Sequence, residues 1–216
     1  MNVVEIFNSI DGEGRRQGQL TTFLRLHDCN IRCSYCDTTY SYGPDSDYDT
    51  MTVEEVVNRI EAFKNHRITI TGGEPLLQEY DVIDLVDTLY ERNCYYDINI
   101  ETNGTIVPSF YRPYVWFTYD YKMPSSLAEE YMDLGIFKVA TEADLIKFVV
   151  SSENDLDRMH QILADNPTKG QIYVSPVWGA IEGATIVEYM IKHNLQDVRL
   201  QLQIHKFIWD PNAKGV

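Results

Sequence analysis

The chain has 216 residues, with 18 Lys and Arg against 33 Asp and Glu, a formal charge of −15. With 44% hydrophobic and 24% charged residues it has a globular composition, and its length suits a single domain spanning residues 1–216. So acidic a balance argues against a nucleic-acid partner gripped by its phosphates, and no apolar run reaches the roughly 18 residues of a membrane span. No basic segment followed by an apolar stretch opens the chain, so a cytoplasmic location is expected.

In chain order, residues 20–27 alternate and are rich in Thr and Phe, as a strand requires, and run directly into a cysteine-rich segment. Asp45, Asp47 and Asp49 lack the later Gly and Glu of a calcium loop and read as a solvated acidic stretch. Thr52-Val-Glu-Glu55 is a capping box opening a helix to about residue 64, with Val53, Val56, Val57 and Ile60 on one face. Residues 67–71 form a β-branched strand that stops at Gly72-Gly73. A second helix is expected from Pro75, its apolar stripe being Leu76, Val82, Ile83, Val86 and Leu89. Strands follow at 95–101, 114–119, 145–150, 171–175 and 198–204, with helical periodicity at 154–164 and 186–193. Such alternation implies right-handed crossovers and an α/β fold, an incomplete TIM-like barrel of about six parallel strands.

The unusual residues fall at the carboxyl ends of those strands. The cysteine segment follows the first, Gly72-Gly73-Glu74-Pro75 the second, Glu101-Thr102-Asn103-Gly104 the third, Asp120-Tyr121-Lys122 the fourth, Ser151-Ser152 the fifth and Ser175-Pro176 the sixth. In barrel-like parallel sheets these ends share the rim where sites are built.

Cys29, Cys33 and Cys36 fall in one C-x3-C-x2-C run, which lets a short loop wrap three thiolates around one inorganic centre. A tetrahedral zinc needs a fourth ligand, and no second Cys or His pair stands at a typical spacing downstream. A 4Fe-4S cubane fits better, because three thiolates leave one iron open to a small molecule. Cys94, in an aromatic stretch, reads as a buried thiol. His66, His160 and His193 read as surface residues.

C-x3-C-x2-C after the first strand, with Gly-Gly-Glu-Pro after the second, resembles the signature of the radical S-adenosylmethionine (SAM) superfamily. Within it the chain resembles the 7-carboxy-7-deazaguanine synthase family. That likeness rests on Glu5-Ile-Phe7, Ser9-Ile-Asp-Gly-Glu-Gly14, Thr22-Phe-Leu-Arg25, Cys36-Asp-Thr38, Thr71-Gly-Gly-Glu-Pro75, Glu101-Thr-Asn-Gly-Thr105, Gln203-Ile-His-Lys-Phe-Ile-Trp209 and Lys214-Gly-Val216. It implies a lyase of 7-deazapurine and queuosine biosynthesis. Such an enzyme rearranges 6-carboxy-5,6,7,8-tetrahydropterin with loss of ammonia, using SAM and Mg²⁺.

The resemblance also implies roles. Cys29, Cys33 and Cys36 hold the cluster and Thr38 the Mg²⁺. SAM is bound by Tyr35, Cys36, Asp37, Gly72, Gly73, Glu74, Asn103, Asp120, Tyr121, Lys122, Ser175, Pro176, Val177 and Trp178, with Glu74 toward its ammonium. Substrate is bound by Ile10, Asp11, Gly12, Glu13, Arg25, Thr71, His205 and Val216, with Arg25 on the carboxylate and the Val216 carboxylate on the ring nitrogens. No catalytic residue is implied beyond cluster and SAM. A flavodoxin or ferredoxin as reductant and a homodimer are family-level expectations. Two departures stand out. Asp11 occupies a position where the family commonly has Gln, exchanging a donor and acceptor for an acceptor. Asp120-Tyr121-Lys122 aligns with the family's Ser-Pro-Lys.

Two other readings compete. One is a radical-generating activase that attacks a protein glycine. The other is a non-enzymatic iron-sulfur or zinc module that transfers electrons or holds a loop.

Overall fold

The computed structural model describes every residue except Pro44, Asn212 and Val216, so the role expected of Val216 lies outside the described residues. It begins with a strand that the apolar pattern does not announce: β1 (Asn2–Ile10), whose burial shows no clean alternation. β1 runs antiparallel to β2 (Leu20–Leu26), and on its other side pairs with the two-residue β3 (Asp49–Thr50). Strands and helices then alternate as α1 (Val53–Ala62), β4 (Arg67–Gly72), α2 (Glu79–Arg92), β5 (Asp97–Thr102), β6 (Val115–Lys122), α3 (Gly135–Val139), β7 (Leu145–Val150), α4 (Glu153–Asp165), β8 (Gln171–Pro176), α5 (Gly183–Lys192), β9 (Val198–Leu200) and α6 (His205–Ile208).

The described strands form one sheet in the order β3-β1-β2-β4-β5-β6-β7-β8-β9, parallel from β2 onward. β3 and β9 end the sheet without pairing to each other, so it is an open partial barrel. The parallel α/β expectation holds, with β1 and β3 added as antiparallel strands on one edge.

Alternation along the strands divides the core from the site. Ile68 and Ile70, Ile98 and Ile100, Phe117, Tyr119 and Tyr121, and Ile146, Phe148 and Val150 are buried against helix residues such as Val57, Ile60, Val86, Leu89, Leu156 and Met159. A fully buried aliphatic side chain contributes about 1.5–3 kcal/mol, so this layer carries much of the stability. The intervening Thr71, Glu101, Thr118, Asp120, Lys122 and Lys147 instead line a cleft.

Several boundaries differ from the sequence pattern. α2 starts at Glu79 because Glu74 accepts a hydrogen bond from Leu76 N and caps a 3₁₀ turn over Pro75–Gln78. β6 continues to Lys122, since Asp120 and Lys122 pair in register with Lys147 and Val149 of β7. β9 stops at Leu200, after which the chain leaves the sheet. Cys94 is exposed, in a turn where Asn93 Oδ1 accepts from Tyr95 N. His66 is exposed as expected, but His160 and His193 are half-buried, His193 stacking on Tyr189 at 4.1 Å between ring centroids.

Candidate active site

The floor of the cleft is laid by residues 11–19, which turn beneath the amino ends of the parallel strands. Arg16, 3% exposed, anchors this turn. Its Nε donates to Asp11 Oδ2 at 2.9 Å, its Nη1 to Asp97 O at 2.8 Å, and its Nη2 to Ile68 O and Thr69 Oγ1. Thr21 Oγ1 donates to the same Asp11 oxygen at 2.9 Å. Asp11 therefore spends this oxygen on the scaffold. Burial raises the Asp11 carboxyl and Arg16 opposes that rise. Gln201, just after β9, clamps Gly14 from below, accepting from its N at 2.9 Å and donating to its O at 3.0 Å. From the same turn Glu13 reaches Lys147 Nζ at 2.9 Å and accepts from Ser175 Oγ at 3.3 Å.

The opposite end of the cleft is the cysteine loop between β2 and the Thr39–Ser41 turn. Gly72 and Gly73 are required by backbone contact there. A Cβ on Gly72, at φ +141°, would lie 2.2 Å from Leu26 O, and one on Gly73 would lie 1.8 Å from Asp28 O. The diglycine turn thus docks on the base of the cysteine loop, where Glu74 N donates to Asp28 O at 2.8 Å. Asn103 Nδ2 points at Cys29 Sγ at 3.6 Å. The three cysteines are free and half-buried on one loop that opens into the cleft, a donor set that suits a three-thiolate cubane.

Charged groups on the walls meet in pairs. Glu5 accepts from Arg25 Nε at 2.7 Å, while the two terminal guanidinium nitrogens of Arg25 make no hydrogen bond among the described residues. That leaves the fork able to take a carboxylate. Thr71 Oγ1 donates to Glu101 Oε2 at 3.2 Å. Burial pushes the Glu101 carboxyl up to about 7, against the pull of Lys147. Lys147 lies in the apolar strand β7; burial works against its charge, but Asp120, Glu13 and Glu101 outweigh that and hold it protonated. Asp120 Oδ2 meets Lys122 Nζ at 2.9 Å and Lys147 Nζ at 3.4 Å. Its Oδ1 is buried without a hydrogen-bond partner among the described residues.

The chain after β9 closes one side. His205 packs so tightly on the floor that a Cβ on Gly12 would lie 1.8 Å from its Nδ1, and burial pushes its pKa down toward the neutral form. Lys206 Nζ meets Asp37 Oδ2 at 3.2 Å, and Thr38 Oγ1 donates to Asp37 Oδ1 at 2.9 Å. Burial would raise Asp37, yet Lys206 and Thr38 outweigh it and hold the carboxylate ionised. Lys214 sits 4.2 Å above the Tyr40 ring.

One cleft of about 570 Å³ collects Ile10, Asp11, Gly12, Glu13, Arg25, Cys29, Cys33, Tyr35, Cys36, Asp37, Thr38, Thr71, Gly72, Gly73, Asn103, Asp120, Lys122, Val177, Trp178 and His205. Three expected residues face elsewhere. Glu74 is fully buried, its carboxylate taken by Leu76 N, Thr102 Oγ1 and Asn103 N, which leaves none of it for an ammonium. The Tyr121 side chain packs on Phe137 and Phe148 because strand alternation turns it to the helix side. Ser175 and Pro176 lie just behind the lining, with Ser175 serving Glu13. Glu101 and Lys147 line the cleft although sequence reasoning gave them no role. Their signal was an ionisable side chain in an otherwise apolar strand, where a buried charge needs a reason.

Residues 25–115 match the family described as the Radical SAM superfamily. A 7-carboxy-7-deazaguanine synthase of Clostridium acetobutylicum is 42% identical over 99% of this chain and 98% of its own. Proteins of that name from Methanospirillum hungatei and Chlorobaculum tepidum are 38% and 37% identical, covering 98% and 100% of this chain and 86% and 97% of theirs. The crystal structure of QueE from Escherichia coli shares the fold, with a TM-score of 0.69 at 23% identity over 93% of this chain and 92% of that one. Kinship along the whole length, with the three-cysteine loop inside the matched segment, sets aside a zinc module: the chain belongs to the 7-carboxy-7-deazaguanine synthase family of the radical SAM superfamily.

Proposed function

We propose that this protein is a radical SAM lyase converting 6-carboxy-5,6,7,8-tetrahydropterin to 7-carboxy-7-deazaguanine with release of ammonia. The observation that carries this reading is the convergence, in one cleft, of three thiols at the rim and a carboxylate-sized guanidinium fork on the wall. Cys29, Cys33 and Cys36 would hold the cluster. Gly72, Gly73, Tyr35, Asp37, Asn103, Lys122, Val177 and Trp178 would surround SAM, with the unpartnered Asp120 oxygen as an acceptor toward it. When bound, cluster and SAM supply a radical that takes one hydrogen atom from the substrate.

This chain's residues do the rest. The Arg25 fork takes the substrate carboxylate, and the Thr38 hydroxyl beside Asp37 offers the oxygen donors that Mg²⁺ prefers. Neutral His205, Thr71 and the backbone of Ile10, Asp11 and Gly12 frame the ring. Glu101, titrating near neutrality, exchanges a proton with the ring as ammonia departs. A flavodoxin or ferredoxin would deliver electrons in the cytoplasm. Two chains would associate as a homodimer, which sedimentation velocity at micromolar concentration tests.

The test of the activity is anaerobic reconstitution with iron and sulfide, then incubation with the tetrahydropterin, SAM, Mg²⁺ and dithionite. 7-Carboxy-7-deazaguanine is the expected product. Cleavage of SAM without any deazapurine would overturn the reading and favour the activase.

A further inference from the structure

The segment after the third cysteine doubles back over the loop it has just left. Asp28 N donates to Ser41 O at 2.9 Å, and Ser41 N to Thr38 O at 3.0 Å, which carries Tyr42 onto the outer side of the cysteine loop. There the Tyr42 hydroxyl is within hydrogen-bond reach of the Cys36 sulfur. The Arg32 guanidinium lies 4.2 Å from the centroid of the Tyr42 ring. Its Nη1 donates to the carbonyls of Cys29 and Ile31, both at 2.7 Å. Neither residue is spoken for by SAM or substrate in the reading above.

We propose that Tyr42 and Arg32 are positioning residues that raise the reduction potential of the cluster on Cys29, Cys33 and Cys36, Tyr42 by donating to the Cys36 sulfur and Arg32 by placing its charge on the ligand loop. The inference rests on the assignment of that cluster, though not on the identity of the substrate. In the reduction, a one-electron donor of the flavin or iron-sulfur class is oxidised, the cluster gains one negative charge, and no bond forms or breaks. Added charge is opposed by a chain of formal charge −15 and by carboxylates close by, with Glu74 near Cys29 and Asp120 near Cys33. Each thiolate has an opposing group: Asn103 Nδ2 toward Cys29, Lys122 near Cys33 and Tyr42 toward Cys36. Hydrogen bonds to sulfur and neighbouring cations favour the reduced state, and such partners tune a centre without ligating it.

The experiment is a mediated redox titration of the full-length, anaerobically reconstituted protein, following the electron paramagnetic resonance signal of the reduced cluster, with no pterin added. At the potential where the native cluster is half reduced, Tyr42→Phe is expected to lower the reduced-to-oxidised ratio about tenfold, equivalent to about 60 mV for one electron. Arg32→Gln is expected to lower it too, and the double variant to fall short of the sum, because Arg32 orients the Tyr42 ring. If Tyr42→Phe fails to retain iron, 3-fluorotyrosine at position 42, a stronger donor of the same shape, is expected to raise the ratio. An unchanged midpoint in Tyr42→Phe with full iron content, or an unchanged or lowered ratio with 3-fluorotyrosine, overturns the proposal. A native protein that titrates normally yet makes no deazapurine would sink the substrate assignment alone.

Discussion

At Glu101, desolvation outweighs the pull of Lys147 and brings a carboxyl to about 7, where it can both give and accept a proton in the cell. Two consequences follow, of opposite sign. Turnover is expected to rise with pH through about 7 as the carboxylate forms, and Glu101→Gln to lose about 100-fold or more and flatten that profile, read as product formed per minute between pH 5.5 and 8.5. A carboxyl whose folded pKa lies above its unfolded one binds a proton on folding. Its contribution to stability is therefore full below the unfolded value and is lost as pH rises through about 7. Urea unfolding is expected to find Glu101→Gln more stable than the native protein at pH 8 and about equal at pH 4.5. Asp11 is the converse case. From sequence its departure from Gln looked like a change in substrate contact, whereas the fold spends its side chain on Arg16 and Thr21. Nothing local in residues 11–16 reveals that, because the other partners of Arg16 belong to β4 and β5. Asp11→Asn leaves Arg16 buried without its countercharge, and a loss of about 3–5 kcal/mol in urea unfolding at pH 7 is expected.

Elements whose limits are set by local chemistry were legible in sequence. The capping box of α1 forms as expected, with Thr52 N donating to Glu55 Oε2 at 2.8 Å and Glu55 N to Thr52 Oγ1 at 3.3 Å. Thr52→Ala is expected to cost about 0.5–2 kcal/mol by thermal unfolding. Elements whose limits depend on a neighbour were not legible. β6 runs on through Asp120-Tyr121-Lys122 because β7 lies alongside, and β1 exists only because β2 and β3 pair with it. The diglycine turn shows the same dependence. Sequence reasoning took its bare backbone as room for SAM, but the tightest contacts are with Leu26 and Asp28 at the root of the cysteine loop. A methyl group on Gly73 must displace that loop. Gly73→Ala is expected to keep the native circular dichroism spectrum while binding less than half the iron on reconstitution.

Across the whole molecule, the division of labour follows from alternation: one face of the parallel strands packs on helices and the other carries ionisable groups into the cleft. That division, and the rim of turns at the carboxyl ends, could be read from strand patterns and motif positions. The closing of the cleft could not, since it joins residues nearly the full chain length apart. Gly14 and Gln201 exchange two hydrogen bonds across 187 positions, and Ile204 N donates to Gly12 O at 3.2 Å. Residues beyond Trp209 form part of one side, with Pro211, Ala213, Lys214 and Gly215 on the lining. Truncation after Trp209 is expected to raise KM for the pterin at least tenfold while leaving the iron content intact, a split that steady-state kinetics and metal analysis together detect.

The union of Gly12 with His205 and of Gly14 with Gln201 also orders events during synthesis. A nascent polypeptide emerging from the ribosome presents the cysteine loop early, but its pterin chamber lacks one flank until translation has passed residue 205. Metallation can thus precede release, whereas substrate capture must await it, so ribosome-stalled intermediates short of that point should take up iron and ignore the pterin.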